Sequence, residues 1–250
     1  MKKLLLGALL AGSITMLSSC LDGDNDGSRS TFTYGVAEID MRTGGNVIYY
    51  NDYELPIFDA TLSSQIMDDK CYYVEFTIKD EDNPDVATAG YYKVTATNCF
   101  EIDKGTVMYV KTDTAVIKED ELPITNLALT NYVKGYLFLN SYIESMGSGQ
   151  KNHFELSFNM DAEPVLESTK SVYQMYLRAN KLEDGKTPTS NQIVPNAYNV
   201  KRYFDTISNK EKGKGNSEYY VKLNYIKSFD KDTVPIWATT EVISVAIPKD

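Results

Sequence analysis

The chain's only histidine lies close to a carboxylate and a hydroxyl. His153, Glu155 and Ser157 are the residue types of hydrolytic triads, in which histidine acts as general base towards a serine nucleophile. They alternate with Phe154 and Phe158, which predicts a strand whose polar side chains share one face. Neighbours on such a face are about 6 to 7 Å apart, and no nucleophile elbow accompanies them. We therefore interpret the three as a polar strand face and predict no catalytic residue.

Cys71 and Cys99 lie on two predicted strands that an acidic loop connects. If this hairpin is centred near Asp85, the two cysteines lie directly opposite each other on the polar face, which predicts a cross-strand disulfide of structural role. A one-residue bulge would destroy that register, so two free thiols are the alternative.

Tyrosine doublets are frequent in the chain, which has 19 tyrosines. In a strand, one residue of each doublet faces inwards and the other faces outwards. A tyrosine that faces outwards offers a flat apolar ring with a hydroxyl, suited to a sugar or a peptide. Cross-strand aromatic packing without a ligand is the alternative. The candidate ligand platform comprises Tyr49, Tyr73, Tyr91 and Tyr219.

Composition excludes several classes of protein. The 250 residues are 42% hydrophobic and 24% charged, which is typical of a globular chain. A formal net charge of −10 argues against nucleic acid as a partner, because the phosphate backbone must be neutralised by clustered cations. One histidine and three cysteines leave little for a metal site, and we expect neither a metal nor a cofactor. The one basic cluster is either a contact for anionic polymers or a solvated loop; it comprises Lys201, Arg202, Lys210, Lys212 and Lys214.

The first residues read as a lipoprotein signal peptide, 1–19. Two lysines precede an apolar run that is too short to span a bilayer, and Leu17-Ser18-Ser19-Cys20 resembles the lipobox of bacterial lipoproteins. That resemblance implies that Cys20 is lipidated and becomes the first mature residue. Removal of residues 1–19 takes away two lysines and no acids, so the formal charge becomes −12.

An acidic tether, 20–31, follows the predicted lipidation site. Asp22, Asp24 and Asp26 alternate directly after Cys20. They are either a solvated spacer or, by resemblance, the surface-export signal of Bacteroidetes lipoproteins. An EF-hand loop is rejected, because Thr33 stands where the bidentate glutamate is needed.

The remaining patterns predict an all-β protein. Short strands with a period of two favour a small closed barrel over 32–117. A charged, proline-containing break follows, and strands separated by turn clusters then favour a β-sandwich over 118–250. Ala197 to Ile207 fits either a strand or a helical stripe, and we predict a strand that forms a hairpin with 219–229.

The chain resembles the NigD-like lipoproteins of Bacteroidetes. The resemblance rests on Cys20 with its aspartates and on three segments, 91–102 (YYKVTATNCFEI), 135–140 (GYLFLN) and 153–156 (HFEL). It implies an N-terminal OB-like barrel, a C-terminal β-sandwich and a lipid-anchored envelope protein without an established activity. The family's association with bacteriocin loci hints at immunity or peptide binding.

We therefore expect a lipid-anchored outer-membrane protein that is a non-enzymatic component and either binds a ligand or assists envelope assembly. Its expected partners are the membrane, through acylated Cys20, and a glycan, a peptide or an envelope protein. A glycan- or peptide-recognition lipoprotein is the first alternative. A hydrolase with an unrecognised pair of acids is the second.

Overall fold

The computed structural model describes residues 27–112, 114–168 and 170–247. Within these ranges the chain is built mainly of β-strands, with one helix longer than a single turn. No helix among the described residues is long and apolar enough to cross a membrane. The elements of the first half are β1 (Ser28–Asp40), β2 (Gly45–Tyr49), β3 (Ile57–Phe58), α1 (Ala60–Ser63), β4 (Cys71–Lys79), a 3₁₀ turn (Asp80–Asp82), α2 (Val86–Ala89) and β5 (Tyr92–Glu101).

The second half begins directly after β5. Its elements are β6 (Thr106–Met108), β7 (Glu121–Leu122), β8 (Asn126–Val133), β9 (Tyr136–Ser148), β10 (Lys151–Ser157), β11 (Val165–Glu167), β12 (Lys170–Glu183), β13 (Lys186–Asn199), α3 (Lys201–Gly213), β14 (Glu218–Phe229), β15 (Pro235–Thr239) and β16 (Ile243–Ala246).

The first five strands form a closed barrel in the order β1-β2-β3-β5-β4. The long strand β1 closes it, because one end pairs with β2 and the other with β4. The period-two pattern of β4 sends Tyr72, Val74 and Phe76 into the barrel, where they pack against Ile48 and Val94. Alternation along the sequence thus gives the barrel its core.

The remaining strands form two sheets that enclose the main hydrophobic core. Eight strands form the larger sheet, with the order β15-β14-β12-β10-β6 and with β7, β11 and β16 paired to its members. The smaller sheet has the order β13-β9-β8. Leu139 of β9, Leu156 of β10 and Leu223 of β14 meet in the core between the sheets. The all-β prediction of a barrel followed by a sandwich is confirmed.

The barrel and the sandwich share a third apolar cluster. Tyr34 and Cys71 of the barrel pack there with Val133 and Phe138 of the sandwich. Asn131 adds two hydrogen bonds across the same boundary, from Nδ2 to the carbonyl oxygens of two barrel residues at 2.8 and 3.1 Å. The junction is therefore packed and hydrogen-bonded.

Two predicted domain limits are wrong by several residues. Strand β1 starts at Ser28, inside the predicted tether 20–31, because its first residues pair with the end of β4. The barrel ends with β5 at Glu101 and not at residue 117. Strand β6 runs parallel to β10 in the larger sheet, because the closed barrel offers it no free edge.

The strand predicted from Ala197 to Ile207 is also wrong beyond its first residues. Strand β13 ends at Asn199, and α3 follows as a helix whose apolar stripe, Tyr203, Phe204 and Ile207, enters the core of the sandwich. The helical spacing therefore prevailed over the short alternating pattern.

Candidate functional site

Three aromatic side chains form a row on the outside of the barrel. Phe32 of β1 stacks on Tyr73 of β4 with ring centroids 5.6 Å apart, and Tyr73 stacks on Phe100 of β5 at 4.8 Å. The interplanar angles are 29° and 24°. Phe32 and Phe100 remain 43% and 45% exposed, whereas Tyr73 between them is half-buried. We call these three residues the aromatic ridge.

Strand register explains why the three rings meet. Tyr73 lies directly opposite Phe100 in the pairing of β4 with β5, and it lies opposite Tyr34 in the pairing of β4 with β1. Phe32 is two residues before Tyr34, so its ring projects from the same outer face beside Tyr73. The ridge thus crosses three neighbouring strands.

Polar side chains border the ridge. The Tyr73 hydroxyl donates a hydrogen bond to Glu75 Oε1 at 2.8 Å. Burial and this hydrogen bond to a carboxylate both raise the pKa of Tyr73, so the phenol stays protonated at neutral pH. The hydroxyls of Ser30 and Thr77 are 2.8 Å apart, and Asn98 is exposed opposite Glu75. Hydroxyl, carboxylate and amide groups therefore surround an apolar centre.

The sandwich occupies the neighbouring part of the barrel surface. OB barrels commonly bind ligands on the face of their second and third strands. Here Tyr49 of β2 packs against the cluster between barrel and sandwich, and Lys134 Nζ lies 3.7 Å from its ring centroid. The backbone N–H of Lys134 also donates to Asp52 Oδ1 at 2.7 Å. The ridge lies instead on the outer face of β1, β4 and β5.

The four tyrosines of the predicted platform are not brought together. Tyr73 lies at the centre of the ridge, and Tyr49 lies at the junction with the sandwich. Tyr91 contacts Phe58 of β3 edge to face at 5.2 Å, elsewhere on the barrel. Tyr219 is only 1% exposed in the sandwich core, so its prediction as an outward-facing platform residue is wrong. The reason is that Tyr219 alternates with Val221 and Leu223 on the inner face of β14, where the Phe204 ring of α3 contacts it, so Tyr220 is the member of the doublet that faces outwards.

The predicted disulfide between Cys71 and Cys99 is absent, and both cysteines are free. Cys99 lies opposite Val74, and Cys71 O accepts a hydrogen bond from Ile102 N at 2.8 Å. The two cysteines are therefore offset by three residues, which is about 10 Å along the strand direction. A disulfide can bridge two Cα atoms only up to roughly 7 Å apart.

A bulge in β5 also places the two cysteines on opposite faces. The pairing shifts between Glu75 and Phe76, so β5 carries one extra residue. Cys99 consequently packs against the barrel core, whereas Cys71 points outwards and is buried beneath the sandwich. Burial raises the pKa of Cys71 to about 12 and that of Cys99 to about 11.

No hydrogen bond joins the three polar residues of β10 to one another. Glu155 makes an ion pair with Lys118 at 2.7 Å. Ser157 is buried rather than solvated, and its hydroxyl contacts that of Thr112. His153 is four residues before Ser157 on the same strand, and it lies opposite Asn180 of β12. These contacts connect β10 to the segment that follows β6.

The predicted lipidation site and export signal lie outside the described residues. This applies to Cys20, Asp22, Asp24 and Asp26. Within residues 27–112, 114–168 and 170–247, no group of three or more His, Cys, Asp or Glu side chains could hold a metal ion.

Phe32 and Phe100 of the ridge were not predicted as site residues. The alternation of Tyr92, Val94 and Ala96 placed Phe100 on the inner face, but the bulge moves it to the outer face. Phe32 lies within a run of small and polar residues, Ser28 to Thr33, that carries little strand signal. An outward aromatic residue on each of three paired strands becomes visible only once the pairing is known.

Comparison with known families identifies the barrel. Residues 25–99 match the family described as Lipoprotein OB domain. The match covers the barrel, where the resemblance to NigD-like lipoproteins implied an OB-like domain. None of the curated proteins matches the chain.

Solved structures share the fold over most of the chain. An uncharacterized protein from Parabacteroides merdae is 24% identical, with a TM-score of 0.74 over 87% of this chain and 99% of that one. A candidate lipoprotein from Bacteroides fragilis is 12% identical, with a TM-score of 0.55 over 88% and 99%. A NigD-like immunity protein from Bacteroides caccae is 15% identical, with a TM-score of 0.47 over 84% and 91%.

Proposed function

We propose that this chain, whose N-terminal barrel is a lipoprotein OB domain, is a lipid-anchored, non-enzymatic protein that binds neutral glycans through the aromatic ridge. The ridge is the observation that carries the proposal: three stacked rings on an open sheet face, with two of them nearly half exposed. Cross-strand packing alone would stabilise the sheet without requiring that exposure.

The surroundings of the ridge favour a sugar as the ligand. Aromatic rings offer apolar surface for the C–H groups of a sugar, and the bordering groups offer partners for its hydroxyls. OB barrels are known to bind oligosaccharides and oligonucleotides. Glu75 contacts the central tyrosine of the ridge, and the chain carries a net charge of −10, so a nucleic acid or another polyanion would be repelled.

Anchoring by Cys20 would hold this surface at the outer membrane. Each buried methylene of an acyl chain contributes about 0.8 kcal/mol, so several chains give stable attachment. In this proposal the aspartates after Cys20 space the barrel from the bilayer and direct the protein to the cell surface. The lipoprotein OB domain supports membrane association.

The contacts of the described residues support a non-enzymatic role. Two of the three triad-forming types on β10 contact neighbouring segments: Glu155 pairs with Lys118, and buried Ser157 contacts Thr112. The similar solved structures are described as uncharacterized, lipoprotein or immunity-like proteins.

An array of neutral and acidic oligosaccharides, probed with full-length protein in detergent, tests the ligand class. We expect neutral glycans to bind, and Phe100→Ala to weaken the tightest of them on the order of tenfold in calorimetry. Tyr53→Ala is the matched control, because Tyr53 is 72% exposed away from the ridge. Equal loss in both variants, or binding of no neutral glycan, would contradict the proposal.

Recovery of a stoichiometric envelope protein instead of a sugar would favour an assembly role. The same two variants distinguish the surfaces involved. If Phe100→Ala abolishes the protein contact, the ridge is a protein interface and the glycan proposal is wrong.

A further inference from the structure

A cleft of about 770 Å³ opens where α3 begins. Its walls come from the segment after the barrel, from the start of β9, from the end of β13 and from the first three turns of α3. This volume lies within the range of small-molecule sites. The cleft uses none of the three ridge residues.

The charge of the cleft is opposite to that of the chain. Its lining includes three cationic side chains, Lys104, Lys201 and Arg202, and a single carboxylate, Asp205. Lys201 pairs with Asp205 at 2.6 Å and Lys104 pairs with Asp69 at 3.1 Å, which leaves Arg202 as the lining cation that has no ion pair with a described carboxylate. A local excess of cations in a chain of net charge −10 concentrates anions at this place.

Arg202 is placed to receive an anion. Its guanidinium carbon lies 5.1 Å from the ring centroid of Tyr109, and no described carboxylate forms an ion pair with it. Stacking on a ring holds the planar group while leaving its N–H donors free. A guanidinium in this arrangement can donate two parallel hydrogen bonds to a carboxylate or a phosphate.

The start of α3 strengthens the preference for negative charge. The N-cap residue, Val200, makes no side-chain cap, although the Lys201 N–H donates to Asn199 Oδ1 at 3.3 Å, and the first turn contains no acidic residue. Two cations occupy that turn instead, which is the less stable choice for a helix dipole. An anion bound beside Arg202 would offset both the dipole and the two side-chain charges.

Lys104 forms the opposite wall and is held in place. Its Nζ donates to Tyr136 Oη at 2.5 Å, to Asp69 O at 2.7 Å and to Asp69 Oδ2 at 3.1 Å. Partial burial opposes the charge, but these hydrogen bonds outweigh it and raise the pKa of Lys104. The amine therefore supplies a fixed positive charge and orients the Tyr136 hydroxyl.

We infer that this cleft is a second binding site, which takes a small hydroxylated organic anion, an acidic sugar carrying either a carboxylate or a phosphate. Arg202 binds the anionic group, and the hydroxyls find partners in the amide and hydroxyl side chains of Asn199, Thr206 and Asn209, which also line the cleft. The site goes beyond the proposed glycan-binding ridge, because it lies on other elements and would stand if the ridge bound no sugar.

Calorimetric titration of the full-length protein in detergent with glucuronate, glucose 6-phosphate and glucose tests this inference. We expect at least one of the two acids to bind at least about tenfold more tightly than glucose, with affinity that falls as salt is added. The acid that binds identifies the source of the charge. If neither acid binds more tightly than glucose, the inference is overturned.

Two variants of α3 provide the matched comparison. Arg202→Gln should weaken the acid on the order of tenfold or more, and Arg202→Lys should restore part of the affinity. Lys212→Gln removes the same charge from the same helix outside the cleft and should leave affinity within about twofold. Equal effects of Arg202→Gln and Lys212→Gln would overturn the inference. Phe100→Ala should leave acid binding unchanged, which separates this site from the ridge.

Discussion

The far end of α3 is held by a buried carboxylate whose removal we expect to loosen the helix. Glu211 is 1% exposed and accepts hydrogen bonds from Tyr173 Oη at 2.6 Å, Lys214 Nζ at 2.7 Å and Asn216 Nδ2 at 2.6 Å. Tyr173 belongs to β12, so this network ties the helix to the larger sheet. Glu211→Gln keeps the shape of the side chain but removes its charge.

The size of the effect follows from these three contacts. A hydrogen bond to a charged group contributes about 1.5–3 kcal/mol. The glutamine oxygen can keep one acceptor role, but its amide group would face the donors of Lys214 or Asn216. We therefore expect a loss of about 2–3 kcal/mol in the free energy of unfolding, which lowers Tm by roughly 4–12 °C for a chain of this size.

The same carboxylate makes the loss dependent on pH. Burial opposes ionisation of Glu211, but the hydrogen bonds from Lys214, Tyr173 and Asn216 outweigh it and hold the pKa below its ordinary value. A group with a lowered pKa in the folded state contributes fully above the pKa of the unfolded state. That contribution is lost as the pH falls through the folded-state pKa. The difference between wild type and Glu211→Gln should be complete at pH 7 and shrink below about pH 4.

Urea unfolding of both proteins at pH 7 and at pH 3.5 measures these two effects. Glu163→Gln is the control, because Glu163 is an exposed carboxylate bonded to Lys210 and should change stability by less than about 1 kcal/mol. A Glu211→Gln protein as stable as the Glu163→Gln control at pH 7 would refute the reasoning, as would a difference that grows at low pH.

Two further outcomes follow from the junction and from the cysteines. Asn131→Ala removes two hydrogen bonds to barrel carbonyls and should lower the free energy of unfolding by about 1–3 kcal/mol in urea titration, whereas Asn126→Ala on the same strand is exposed and should change it little. A stability equal to wild type would contradict the junction described. Both Cys71 and Cys99 should react with iodoacetamide after denaturation without reductant, and only slowly in the native protein at pH 8, because burial raises both pKa values; a peptide in which they are linked would count against the strand register.

The general architecture could be predicted from the alternation of apolar residues. Tyr72, Val74 and Phe76 fill the barrel as their spacing indicates, since a strand with one face on a core must repeat every two residues. The lipoprotein character followed from the residues around Cys20 and from the family resemblance. Both kinds of signal are local in the sequence.

The register between strands β4 and β5 could not be predicted, nor could the part of the barrel surface that the sandwich covers. The loop between β4 and β5 contains a 3₁₀ turn and a short helix, so the hairpin is not centred at Asp85. The bulge in β5 then exchanges the faces of Cys99 and Phe100. Cys71 lies on the outer face as predicted, yet the sandwich covers it. Each outcome depends on a residue or a domain that lies far away in the chain.

The cleft illustrates the same limit. The basic residues Lys201 and Arg202 were visible in the sequence. Because a strand was predicted for this segment, the helix α3 that carries both side chains at the cleft was not foreseen. Lys104 is almost 100 residues earlier and reaches the cleft only because the segment after the barrel bridges to β13 at Ala197. A site assembled from such distant segments has no local pattern.

The central proposal is that acylated Cys20 attaches the barrel to a membrane, and cell fractionation of Cys20→Ser tests it most directly. Wild type should sediment with the membranes and enter the detergent phase, whereas Cys20→Ser should be lost from both. Cys99→Ser, which removes a thiol without affecting the anchor, should behave as wild type does. If Cys20→Ser remains in the membrane fraction to the same extent as wild type, the anchoring on which the proposed function rests is wrong.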